Sequence, residues 1–448
     1  MFQLSEEELR EAVTLLQDLL RFDTTNPPGR ERPATEYVAR VLEEEGIEHQ
    51  LIETGAERLN VIGRLRGTGA ERPLMLSSHL DVVPAVEGQW THPPFSGVEA
   101  GGCVWGRGAV DMKGMTAMGL TVLRLLQRRR ASLKRDIILA AVADEEAGCA
   151  HGSLHLVKHH RDLIDAEYVI NEVGGFTMEM RGRRFYPVQV GEKGIAWLRI
   201  RARGEPGHGS LPSPGSCLGI LGKAMSQLAS SRFPLHPTEA AGEFLEGLGA
   251  TLGFPENLAM SLLRNPAVGG FILDHLVKDV DQKMSLQAML CNTVNPTIVQ
   301  AGSKINVVPA EAVLEVDGRT LPGQTASDLV AEVRDLIGGH FEIEIVKETE
   351  GSLHSSQTPL FDAIREVMAE HDPEGTVLPY LMPGFTDSCC YKEIGATCYG
   401  FYPLKLPPGL IFAKLFHGTD ERIPVDSFRF GIETLFDLVI RFAGEGRD

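Results

Sequence analysis

Three short apolar runs constrain what this chain can fold into: LMLS at 74–77, DIILAAVA at 136–143 and AEYVIN at 166–171. Between them lie stretches with helical spacing, residues 114–130 and about 151–161. Strand and helix in alternation predict an α/β domain with a mainly parallel central sheet flanked by helices. Ligands of such sheets bind beyond the carboxyl ends of the strands. Each of the three runs ends there in chemistry-bearing residues: His79 and Asp81, then Asp144, Glu145 and Glu146, then Glu172.

The pattern changes near residue 190. AWLRIRARG alternates as a half-exposed strand does, helices are expected at 217–230 and 325–337, and AVLEVDGR and FEIEIV read as strands. FLEGLGATLG, LAMSLLR and FILDHLVKDV give short helical patterns between 237 and 300. Helix and strand alternate again after about 349, ending in a helix at 425–442. The expected organisation is a catalytic domain of residues 1–189 and 349–448, interrupted by an α+β domain at 190–348. A length of 448 residues allows two or three domains.

A net charge of −18 sets nucleic acid and anionic membrane aside as partners. The N-terminal segment predicts an amphipathic helix with Leu9, Val13, Leu16 and Leu20 on one stripe. No stretch approaches the ~20 apolar residues of a membrane span. Seven cysteines without CxxC spacing argue against a disulfide framework and for a cytoplasmic location.

Taken singly, the chemistry-bearing residues have ordinary readings: Asp111 as a helix cap, Glu172 as a solvated acid, His79 and His417 as structural histidines. Together, two histidines and several carboxylates form a mixed nitrogen–oxygen ligand set suited to zinc or another divalent first-row metal. The carboxylates are too many for one tetrahedral ion, which points to two metals with one acid between them. Cations then offset the repulsion among acids crowded at the end of an apolar strand. His79-x-Asp81 places both side chains on one side of an extended segment, so Asp81 can orient the imidazole. No G-x-S-x-G elbow, HExxH motif or P-loop spacing is present.

SSHLDVVP, GRGAVDMKG, ADEEAG, NEVGG and FHGTDERIP occur in the order and at roughly the spacings of the M20 metallopeptidases. That family includes aminoacylase-1, succinyl-diaminopimelate desuccinylase, acetylornithine deacetylase and carboxypeptidase G2. The chain most resembles its carboxypeptidase S-like, N-acyl amino acid hydrolase branch. The resemblance spans nearly the whole chain. It implies two zinc ions, replaceable by cobalt or manganese. His79 and Glu172 would hold one and Glu146 and His417 the other. Asp111 would bridge them and be followed by a cis peptide to Met112. Glu145 would act as general base and acid toward a hydroxide attacking an amide carbonyl, and Asp81 would support His79. The inserted domain would be a lid through which the chain forms a homodimer. Its His208 would polarise the scissile carbonyl, and Asn306, Arg319, Gly384 and Thr386 would line the substrate site.

The implied substrates are N-acyl amino acids or small peptides with a free carboxylate. Dipeptidase, carboxypeptidase, desuccinylase and deacetylase activities stay open, as does a catalytically silent metal-binding scaffold. One position departs from the branch: Cys389 stands where relatives often carry arginine after TD.

Overall fold

A computed structural model of the chain describes residues 1–445. It forms two compact units: Met1–Val190 with His354–Tyr380 and Thr386 onward, and Gly191–Leu353 with Leu381–Phe385.

The first unit opens with helix α1 (Glu6–Arg21), begun by a Ser5–Glu8 capping box that satisfies two free amides. Its apolar stripe, including Leu9, Val13, Leu16 and Leu20, is buried as the sequence pattern requires. Then follow β1 (Leu74–His79), α2 (Lys113–Arg128), β2 (Ile137–Val142), α3 (Ser153–His159), β3 (Tyr168–Asn171), β4 (Thr397–Gly400) and α4 (Val425–Ala443). The four strands lie side by side in the order β2-β1-β3-β4, all parallel. Every residue of β1, β2 and β3 is buried, which is why they read as continuous apolar runs rather than alternating ones. Antiparallel strands flank this parallel centre: Glu48–Gly55 and Arg58–Leu65 beyond β2, and a strand starting at Arg183 beyond β4.

The second unit holds a four-stranded antiparallel sheet in the order Thr293–Ala301, Glu311–Thr320, Gly194–Arg203, Glu342–Thr349. Glu311–Thr320 alternates in burial along its length, with helices Cys217–Ser230 and Ala326–Ile337 packed on the sheet's covered face. The stretch before Thr293 forms four helices, Glu239–Leu252, Glu256–Leu263, Pro266–His275 and Val280–Leu290. FILDHLVKDV is therefore not one helix. Asp279 accepts a hydrogen bond from the Gln282 amide and caps a new helix, so the chain breaks after His275. No described helix is long and apolar enough to cross a membrane.

Candidate active site

The parallel order of β2, β1 and β3 explains how residues far apart in sequence meet. His79 is the last residue of β1, Glu145 and Glu146 follow β2, and Glu172 follows β3. Asp111 lies just before α2, and the peptide joining it to Met112 is cis. His417 arrives from the loop before α4. Asp144 and His417 both adopt left-handed backbone, with φ of 68° and 52°, a conformation non-glycine residues keep where the surroundings fix it.

Asp111 stands between the two histidines. Its Oδ1 is 3.2 Å from His79 Nε2 and its Oδ2 is 3.2 Å from His417 Nε2. On one side His79 Nε2 also faces Glu172 at 3.6 Å and Glu145 at 3.9 Å. On the other, His417 Nε2 is 3.2 Å from Glu146. The ligand atoms of His79, Glu145 and Glu172 lie within 4.8 Å of one another, as do those of His79, Asp111 and Glu146. His79 Nδ1 lies 2.9 Å from the Asp81 carbonyl. A carbonyl can only accept, so Nδ1 carries a proton and Nε2 is the nitrogen that faces the cluster.

The electrostatics follow from crowding. Burial, then the charge of Glu172, pushes the Glu145 carboxyl well above its ordinary range. Burial raises Glu172 to about 7. The carboxylates of Asp111 and Glu146 raise the His417 imidazole to about 10. Buried acids, the buried His79 and the exposed His417 thus hold one another's protons where a cation could replace them. Glu146 Oε1 is buried with no hydrogen-bond partner among the described residues. Two imidazoles, four carboxylates and an orphaned carboxylate oxygen fit a divalent metal centre.

Asp81 does more than the sequence suggests. Its backbone carbonyl orients His79, while its carboxylate accepts from the amides of Glu145 and Glu146, both at 3.1 Å. The Asn26 amide donates to the same carboxylate at 2.8 Å and to Asp144 at 3.0 Å. Behind Asn26, Arg58 donates to Glu31, Asp144, the Asn26 carbonyl and Pro28. Glu421 plays a parallel part for Asp111. It accepts from Arg107 and from the amides of Gly108, Val110 and Asp111. Sequence reasoning missed Asn26, Glu31, Arg58, Arg107 and Glu421. Only Arg107 and Glu421 carried a signal, lying inside GRGAVDMKG and FHGTDER beside Asp111 and His417.

The residues expected to touch substrate fall into two groups. Thr386 is buried in the first unit, where its hydroxyl accepts from the Ser388 amide at 3.1 Å and from Asn171 at 3.4 Å. Cys389, the departing position, is partly buried with its sulfur 3.7 Å from that of Cys390. Gly384, His208, Asn306 and Arg319 belong to the second unit. His208 and Asn306 are neighbours there. His208 pairs with Val307 in a two-residue ladder, and the Gly209 amide donates to the Asn306 carbonyl. The Ser210 amide donates to His208 Nδ1, so a neutral His208 carries its proton on Nε2. Arg319 is forked onto Asp317, with its Nη1 left buried and unpartnered among the described residues.

A parallel-centred α/β unit with this cluster at its strand ends defines a metal-dependent hydrolase of amide bonds. The chain belongs to peptidase family M20/M25/M40, whose model matches residues 75–441. It is 27% identical to the human N-fatty-acyl-amino acid synthase/hydrolase PM20D1 over 88% of this chain and 78% of that one. It is 24% identical to human aminoacylase-1 over 95% of this chain and 94% of that one. Its fold matches the M20 family metallo-carboxypeptidase Sso-CP2 from Sulfolobus solfataricus with a TM-score of 0.69 at 18% identity, covering 97% and 99% of the two chains.

Proposed function

We propose that the chain is a dizinc amidohydrolase that cleaves N-acyl amino acids, or small peptides with a free carboxylate. The observation that carries this reading is Asp111, with one oxygen toward His79 and the other toward His417. That arrangement supports two metal positions, His79 with Glu172 and His417 with Glu146, with Asp111 shared. Bound metal ions supply Lewis acidity and lower the pKa of water.

The chain's own residues do the rest. Glu145 accepts the proton of the attacking water and returns it to the departing amine nitrogen. Asp81 fixes the Glu145 and Glu146 backbone through two amide hydrogen bonds, so the base keeps its place relative to the ligands. His208 Nε2–H donates to the developing oxyanion. Arg319 and Asn306 are assigned to the substrate carboxylate, and Gly384 and Thr386 to substrate contact. The names of PM20D1 and aminoacylase-1 support an N-acyl amino acid as substrate. The seven free cysteines support a cytoplasmic location. The exposed edge strand Thr293–Ala301 supports a homodimer formed through the second unit.

A panel of N-acyl amino acids and dipeptides, assayed with added zinc and with a chelator, tests the reading. Chelator-sensitive cleavage of one class is expected. Glu145→Gln should keep its metal and lose turnover by ~10²-fold or more. Unchanged turnover in that variant would overturn the assignment of the base.

A further inference from the structure

Four of the chain's 14 histidines fall within ten residues, at 151, 155, 159 and 160. His151 is occupied structurally, its Nδ1 lying 3.1 Å from the Thr54 carbonyl. The rings of His159 and His160 both lie near that of His155. His155 and His159 are one turn apart on α3, where residues four apart share a face, and their ring centroids are 4.6 Å apart. His160, just past the helix, brings its ring to 5.6 Å from that of His155.

These separations fit shared coordination. Two imidazoles on one tetrahedral ion, each bound at about 2 Å, place their ring centroids about 5 Å apart. The two spacings measured from His155, 4.6 and 5.6 Å, lie on either side of that value. His155 is partly buried, His159 exposed and His160 intermediate, which leaves the group open to an ion from solvent. Burial, and then the neighbouring imidazoles, lowers the His155 pKa. Its ring therefore stays neutral with a free lone pair, the form that binds metal.

We propose that His155, His159 and His160 form a surface site for a divalent transition-metal ion, distinct from the cluster built on His79, Asp111 and His417. Imidazole ligands suit zinc, copper or nickel, with water completing the coordination. The site stands on its own residues and does not depend on the proposed reaction. It is tied to the catalytic loop by covalent continuity, because α3 begins seven residues after Glu146. The intervening turn is anchored by the His151 amide donating to Asp144 at 3.1 Å.

The full chain, stripped of any affinity tag, is dialysed against nickel and, separately, zinc, and bound metal is counted by plasma mass spectrometry. The wild type should hold one ion per chain more than His155→Gln/His159→Gln, and that variant should keep its turnover at limiting zinc. His79→Ala/His417→Ala should lose the inner ions and retain the outer one, so failure of the catalytic assignment is read separately. His159→Gln alone, at an exposed position that folding does not need, should weaken the outer site. Equal metal content in the wild type and the double glutamine variant would overturn the proposal.

Discussion

Arg58 offers a sharp test of how Glu145 and Glu146, the proposed base and ligand, are held. Its guanidinium donates to Glu31 at 2.7 Å, Asp144 at 2.9 Å, Asn26 at 3.0 Å and the Pro28 carbonyl at 2.8 Å. Glu31 is fully buried and Asp144 nearly so. Arg58→Met removes the cation and strands both acids. Breaking a buried pair from one side costs about 3–5 kcal/mol. One part of that cost is softened: burial, then the charge of Asp81, already raises Glu31 to about 7, so without Arg58 it takes up a proton near neutral pH. The expected loss is therefore about 3 kcal/mol, at the lower end of that range. Arg58→Met/Glu31→Gln removes both charges and should recover about 1–2 kcal/mol, because a replaced pair costs far less than a broken one. Turnover should fall about tenfold or more in the single variant, because Asn26 loses its anchor and the Asp81 grip on Glu145 and Glu146 loosens. Urea unfolding midpoints and steady-state kcat are the readouts. A single variant within about 0.5 kcal/mol of wild type, with full kcat, would refute the reasoning.

Two further outcomes follow from the same geometry. Burial pushes the Asp372 carboxyl up, but Arg184, Tyr186 and Lys405 outweigh it and hold it at about 2. The stability it contributes is complete above its unfolded value of about 3.9 and fades as pH falls through about 2. Asp372→Asn should thus melt lower than wild type at pH 7, and the gap should narrow in melts taken from pH 4 down to pH 2. At Gly152 a Cβ would lie 1.8 Å from the Ala143 carbonyl oxygen, a backbone atom at the root of the loop that carries Glu145 and Glu146. Gly152→Ala should cost about 2–3 kcal/mol and most of the activity, measured by thermal melting and kcat.

The parts of the fold that were legible share one property: their signal is local. β1, β2 and β3 are buried on both faces and spell themselves out as apolar runs. The second-unit strand Glu311–Thr320 spells out its one covered face by alternation. The metal-site candidates were legible because each sits at the end of such a run or in a short motif. What stayed hidden is held by partners far away in sequence. Arg58 meets Asp144 across 86 positions and Glu421 meets the Asp111 amide across 310, and no local pattern announces either pairing. The break after His275 was hidden for a different reason, since an apolar stretch continues helically unless a cap such as Asp279 competes. The fork of Arg319 onto Asp317 could have been foreseen, because residues two apart on a strand share a face.

The clasp of Glu421 on the 107–111 turn has a consequence for how the protein comes into being. Residues that converge on the cluster stretch from 79 to 417, and the acid that fixes Asp111 comes later still. A ribosome-bound chain that has exposed β1, β2 and β3 therefore owns a scaffold without a working blade. The strand Arg422–Pro424 must first close on Cys103–Trp105, a long-range pairing that pays its loop entropy before it gains any contact. The Asp111 turn is therefore held by a segment more than 300 positions further along the chain, and the cluster is complete only when that segment is in place.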